Sequence, residues 1–215
     1  MHQIIELFKE LLDPKWIIGH GGFYLLILII FAETGLFVGF FLPGDSLLFI
    51  AGFYGKDIVD SLHGTPLFVV MVLVALGGVL GNYVGYWFGR KSGPLLFSRK
   101  DTFFFKKKHL YQAKEFFEKY GGGAIFLARF LPIVRTFAPI VAGIVQMDSR
   151  RFMIYNLLGS FSWVFSMMSI GYFLGRAFPE LEHRLDIIIV ILILITTLPV
   201  ILKLIFGKTK PINPS

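Results

Sequence analysis

Residues 128–143 read ARFLPIVRTFAPIVAG, a stretch apolar enough to enter a bilayer that nonetheless carries Arg129, Arg135, Pro132 and Pro139. Each guanidinium at membrane depth costs about 2.5 to 3.5 kcal/mol, even on insertion-based scales. Each proline removes a backbone donor and disfavours a straight helix through that point. Irregular backbone at such depth is tolerated only where protein or a water-filled cavity surrounds it. The stretch is therefore expected to be a broken, protein-enclosed segment whose arginines face something anionic. The competing reading is an interfacial loop whose arginines snorkel to lipid headgroups.

The rest of the chain supports a membrane setting. Of its 215 residues 55% are hydrophobic and only 16% charged, with a mean hydropathy of +0.72, too apolar for a soluble domain of this size. The absence of cysteine excludes disulfides, iron–sulfur clusters and thiolate zinc sites. The formal charge of +7 could suggest nucleic acid, but the basic residues crowd between apolar runs. That is the pattern of membrane orientation, not of a DNA-reading face. The N-terminus, with acids among its few lysines, shows no cleavable signal.

Taken in order, residues 1–20 hold a short amphipathic segment expected to lie at an interface and to stop at Asp13-Pro14. Residues 23–55 read as a re-entrant hairpin, with Glu33 on one leg, Pro43-Gly44 at the turn and Asp45 near the tip. A full spanning helix over 22–42 followed by a loop is the alternative. A polar connector over 56–66 leads to a transmembrane helix at 67–89. Gly77, Gly81, Gly85 and Gly89 give that helix a bare face for close helix approach, with Asn82 beside it. The basic linker 90–120 is expected to be cytoplasmic and to carry an amphipathic helix. A second hairpin over 121–146 precedes a second transmembrane helix at 152–175. An apolar anchor helix at 187–206 would return the C-terminus to the cytoplasm.

An internal repeat ties these segments together. Phe41-Leu42-Pro43 recurs as Phe130-Leu131-Pro132, and Ala51-Gly52 recurs as Ala142-Gly143. The run from Gly85 through Tyr86 to Arg90 recurs from Gly171 through Tyr172 to Arg176. The three pairs keep their order and nearly equal offsets. A unit of one re-entrant hairpin and one crossing helix must place its second copy upside down. The expected fold is thus an all-α integral membrane protein built as an inverted repeat, a transporter architecture with its site at the repeat interface. That geometry would bring Glu33 and Asp45 of the first hairpin against Arg129 and Arg135 of the second. Buried charges need partners. The bland reading is that these four only hold the hairpins together; intramembrane ionisable residues are otherwise functional candidates.

The motifs E-x-G-x-F at 33–37, F-x-P-G-D-S at 41–46, G-N-x-x-G-Y at 81–86 and R-F-x-P-x-x-R-T-x-x-P-x-x-A-G at 129–143 resemble those of the DedA membrane proteins. These belong to the wider group with a VTT (SNARE-associated Golgi protein) domain. The resemblance covers residues 21–176 and implies two opposed re-entrant hairpins in a bacterial plasma-membrane protein. It implies lipid translocation: return of undecaprenyl phosphate in bacterial members, phospholipid scrambling in eukaryotic relatives. Some bacterial members are linked to proton-dependent transport.

The function expected is movement of a polyprenyl phosphate carrier such as undecaprenyl phosphate, with proton coupling as an added feature. Arg129 and Arg135, with Thr136 beside them, would bind the phosphate, because guanidinium presents a fork of donors matched to its oxygens. Glu33 and Asp45 would compete for the arginines in the empty state, and protonation of one acid would release its arginine. Pro43, Gly44, Pro132 and Pro139 would break the hairpins. The partners are phosphate-bearing membrane lipids and protons, with an oligomer allowed, and no nucleic acid. Alternatives are a proton-coupled transporter of small solutes, a phospholipid scramblase and a non-transporting scaffold. No enzyme activity, metal or other cofactor is expected, because the histidines lack metal spacing and no nucleophile–base pair or Walker loop occurs.

Overall fold

The computed structural model describes residues 22–35, 44–98, 107–185 and 187–188. The interfacial segment 1–20 and nearly all of the anchor 187–206 lie outside the described residues, as do Pro43 and the tip around it. Among the described residues every regular element is a helix: α1 (Gly22–Gly35), α2 (Gly44–Phe53), α3 (Gly55–Ser61), α4 (Leu67–Ser98), α5 (Lys107–Tyr120), α6 (Gly122–Ala128), α7 (Pro132–Ile144), α8 (Ser149–Ala177) and a 3-10 turn at Pro179–Arg184.

Two helices, α4 and α8, are long and apolar enough to cross a membrane. The others named are shorter. The described part of α1 is 14 residues long, about 21 Å by the usual helical rise. The connector expected over 56–66 is not a bare loop: α3 occupies its first half, closed by Ile58, which is buried. The helix expected over 67–89 runs on to Ser98, with Pro94 inside it.

The second hairpin breaks at one place. α6 ends at Ala128, residues 129–131 turn, and α7 opens with Pro132 in its first turn. There the missing N–H costs nothing and the fixed φ suits a helix start. Pro139 does not break the chain. It lies inside α7, which continues to Ile144; the cost is one lost ladder bond, and packing of α7 along α4 holds the helix straight enough to absorb it. Gly44 likewise opens α2.

The glycine face of α4 packs within the chain. Gly77 meets Ile27, Gly81 meets the Phe31 carbonyl and Thr34, and Gly89 meets the Ile140 carbonyl. A matching contact occurs on the other long helix, where Gly171 of α8 meets the Phe49 carbonyl of α2. The crossings are reciprocal: Gly143 of α7 abuts the Tyr86 carbonyl, and Gly52 of α2 abuts the Met168 carbonyl. At all of these but Gly77, whose Cβ would press on the Ile27 side chain, a Cβ would overlap backbone, so only glycine permits the approach.

Of the three apolar clusters among the described residues, two matter most to the site. One joins Leu26, Ile30, Leu48, Val70, Val74, Trp163 and Met168. The other joins Tyr86, Phe117, Ile125, Ala138, Ala142 and Phe152; its Tyr86 ring stacks on Phe152 at 4.2 Å. Along α4 the interval from Val74 to Tyr86 is about 18 Å of helix. Asn82 lies in that interval, and Thr34, Arg129 and Asn156 meet it at Gly78 and Val79.

Candidate functional site

Between the two cores lie Glu33, Asp45, Asn82, Arg129, Arg135, Thr136, Asn156 and Ser160, all buried. α1 supplies Glu33 near its C-terminal end, and α2 supplies Asp45 in its first turn. There the positive end of the helix dipole favours a carboxylate. Arg129 stands at the break after α6, and Arg135 in the first turn of α7. Glycine makes room for both ends of the cluster. A Cβ on Gly44 would overlap the Glu33 carboxylate, and one on Gly78 would overlap the Arg129 guanidinium.

Arg135 is gripped by both acids. Its Nη1 donates to Asp45 Oδ1 at 2.5 Å, and its Nη2 donates to Glu33 Oε1. Both are ion pairs with almost no solvent access. Arg129 is treated differently. It is 2% exposed, and none of its three side-chain nitrogens has a hydrogen-bond partner among the described residues. Its neighbours in the electrostatic sense are Arg135, Glu33 and Asp45. Glu33 Oε2 is also without a partner. The snorkelling alternative therefore fails at both arginines: neither reaches the surface.

An amide pair closes the site between α4 and α8. Asn82 Nδ2 donates to Asn156 Oδ1 at 2.6 Å, and Asn156 Nδ2 donates to the Val79 carbonyl at 3.0 Å. Ser160 Oγ donates to the same Asn156 oxygen at 3.4 Å. On the α1 side, Thr34 Oγ1 donates to the Ile30 carbonyl at 2.8 Å.

The sequence reading brought Glu33, Asp45, Arg129 and Arg135 together, and the structure places all four in one cluster with Thr136 buried beside them. It missed Trp163. That side chain is fully buried, its ring lies 4.8 Å from the Arg129 guanidinium and 4.7 Å from that of Arg135, and its Nε1 donates to Asp45 Oδ1 at 2.8 Å. It also missed Asn156, whose amide in an apolar helix was a usable signal. Among the described residues no group of three His, Asp or Glu is placed to hold a metal.

Two helices long and apolar enough to cross a membrane, with a buried cluster of ionisable groups beside them, fit the class of helical membrane proteins. Residues 42–173 match the VTT domain. The chain is 41% identical to Protein DedA of Escherichia coli (strain K12) over 184 residues, covering 86% of this chain and 82% of that protein. It is 36% identical over 209 residues to the uncharacterized membrane protein Rv0364 of Mycobacterium tuberculosis (strain ATCC 25618 / H37Rv), covering 94% and 90%. Inner membrane protein YqjA of Escherichia coli (strain K12) is 31% identical over 201 residues, covering 93% and 86%. The chain belongs to the DedA family of membrane proteins. No solved structure matches it.

Proposed function

We propose that the chain is a lipid translocase that carries the phosphate of a polyprenyl phosphate, such as undecaprenyl phosphate, across the bacterial inner membrane. The observation that carries this reading is Arg129. A sealed guanidinium with no hydrogen-bond acceptor is costly, and a phosphate oxygen is the acceptor its fork fits best. Arg135 would join it, with Thr136 alongside, once Glu33 and Asp45 let go. Protonation of one acid would loosen that grip and couple the cycle to protons. The tail would remain in lipid while the headgroup crosses between α4 and α8.

In this reading α1 with α2, and α6 with α7, are the two re-entrant hairpins of an inverted repeat. The reciprocal glycine crossings support it, since each hairpin's second leg packs on the other repeat's long helix. The basic stretch around α5 faces the cytoplasm by the positive-inside rule, and the C-terminus lies on the same side.

Purified protein in vesicles doped with undecaprenyl phosphate tests the reading. Wild type is expected to expose the phosphate on both leaflets, and Glu33→Gln and Arg129→Gln to fail while remaining folded. Full activity in both variants would end the charge-site account. Solute uptake without lipid movement would replace it with a small-solute transporter.

A further inference from the structure

Arg129 and Glu33 Oε2 pose a problem that the ion pairs alone do not answer. Both are buried in one cluster, they carry opposite charge, and neither has a hydrogen-bond partner among the described residues. Attraction in a low-dielectric interior would draw them together; Arg135, already on Glu33 Oε1, opposes it by like charge, and a second contact holds the guanidinium where it stands.

Trp163 supplies it. An indole has an electron-rich face that attracts cations and one polar edge, an N–H that can only donate. Here the ring takes the Arg129 guanidinium at 4.8 Å and that of Arg135 at 4.7 Å. The edge donates to Asp45 Oδ1 at 2.8 Å, the same oxygen that receives Arg135 Nη1. One side chain thus touches both cations and one anion. The slot around Arg129 is completed by Gly78 of α4, where any side chain would displace the guanidinium, and by Gly159 of α8, packed at Arg129 Cβ.

We propose that Trp163 is a positioning residue: its ring holds Arg129 away from the Glu33–Asp45 carboxylates, so that Arg129, rather than Arg135, is the guanidinium open to an incoming phosphate monoester. This rests on the translocase reading for the identity of the cargo. Without the ring, Arg129 swings to the unfilled oxygen of Glu33, and the phosphate must compete with an internal carboxylate. The loss falls on substrate capture before it falls on turnover.

Two measurements decide it. In reconstituted vesicles, Trp163→Leu is expected to raise the KM for undecaprenyl phosphate by about thirtyfold, the order of a desolvated cation–π contact, with kcat changed far less. Trp163→Phe keeps the face, loses the N–H and recovers most of the KM. In a Trp16→Phe/Trp87→Phe background, where Trp163 is the one indole left, farnesyl phosphate should shift the emission saturably and farnesol should not. Arg129→Gln should abolish that response. An unchanged KM in Trp163→Leu, equal losses of kcat in the Leu and Phe variants, or an emission blind to farnesyl phosphate would each overturn the proposal. If the Leu variant does not fold, the Phe variant and the emission titration decide alone. An Arg129-dependent emission shift in a wild-type protein that moves no lipid would sink the translocase reading while leaving the role of Trp163 standing.

Discussion

At the scale of single residues, the cluster is asymmetric in a way that composition does not reveal. Arg135 has two acids; Arg129 has a ring and, among the described residues, no acceptor. The meeting of Glu33 and Asp45 with the arginines could be read from the chain, because four charges in apolar surroundings must find one another. Which arginine takes the acids could not, since that depends on how α1, α2 and α7 come together in space. A tryptophan among Phe161, Val164 and Phe165 looks like ordinary core. The glycines give the sharpest residue-scale prediction. Gly78→Ala should displace the Arg129 guanidinium and lower lipid transport on the order of a hundredfold, the cost of a small misplacement at a binding centre, with circular dichroism unchanged. Wild-type transport in that variant would mean Arg129 can act from another position. For the amide pair, Asn156→Leu should destabilise by about 1–3 kcal/mol through the stranded Asn82 and Val79 groups. The double change Asn82→Leu/Asn156→Leu should recover part of that loss in thermal unfolding in detergent.

At the scale of elements, the long helices and the break after α6 follow from local chemistry, and their outlines were visible beforehand. Three details were not. α3 forms because Gly55 and Ile58 are buried against neighbours distant in sequence. Pro139 stays inside α7 because tertiary packing overrides one missing donor. The helix starting at Leu67 overruns its expected end at 89 and carries Pro94 within it. The reciprocal crossings predict paired behaviour. Gly89→Ala and Gly171→Ala should each cost about 1–3 kcal/mol, the range for forcing extra volume into a packed contact. Gly123, where a Cβ would meet nothing within 4 Å, is the control. Gly123→Ala should be neutral or up to ~1 kcal/mol stabilising through helix propensity. Thermal unfolding of the three variants side by side checks both halves.

At the scale of the whole molecule, two apolar cores separated by a sealed polar layer make physical sense only if the layer is used. Replacing such a layer by hydrophobic side chains often stabilises a protein, so its presence is better explained by cargo than by strength. The ordered sequence repeat is what suggests an inverted arrangement that would expose this layer to each leaflet in turn; residues 36–43 and 99–106 are outside the described structure. The chain has no cysteine, so single-cysteine labelling can test its orientation directly. Lys108→Cys in α5 should react with an impermeant maleimide only from the cytoplasmic side, and Asp60→Cys in α3 only from outside. Labelling of both from one side would contradict a single crossing by α4.

The most direct test of the central claim is a reconstituted flipping assay in which vesicles carry either undecaprenyl phosphate or fluorescent phosphatidylethanolamine, with wild type and Arg129→Gln compared in parallel. The account predicts fast equilibration of undecaprenyl phosphate by wild type, little movement of phosphatidylethanolamine, and loss of the first activity in Arg129→Gln. Equal movement of both lipids, unaffected by Arg129→Gln, would contradict it.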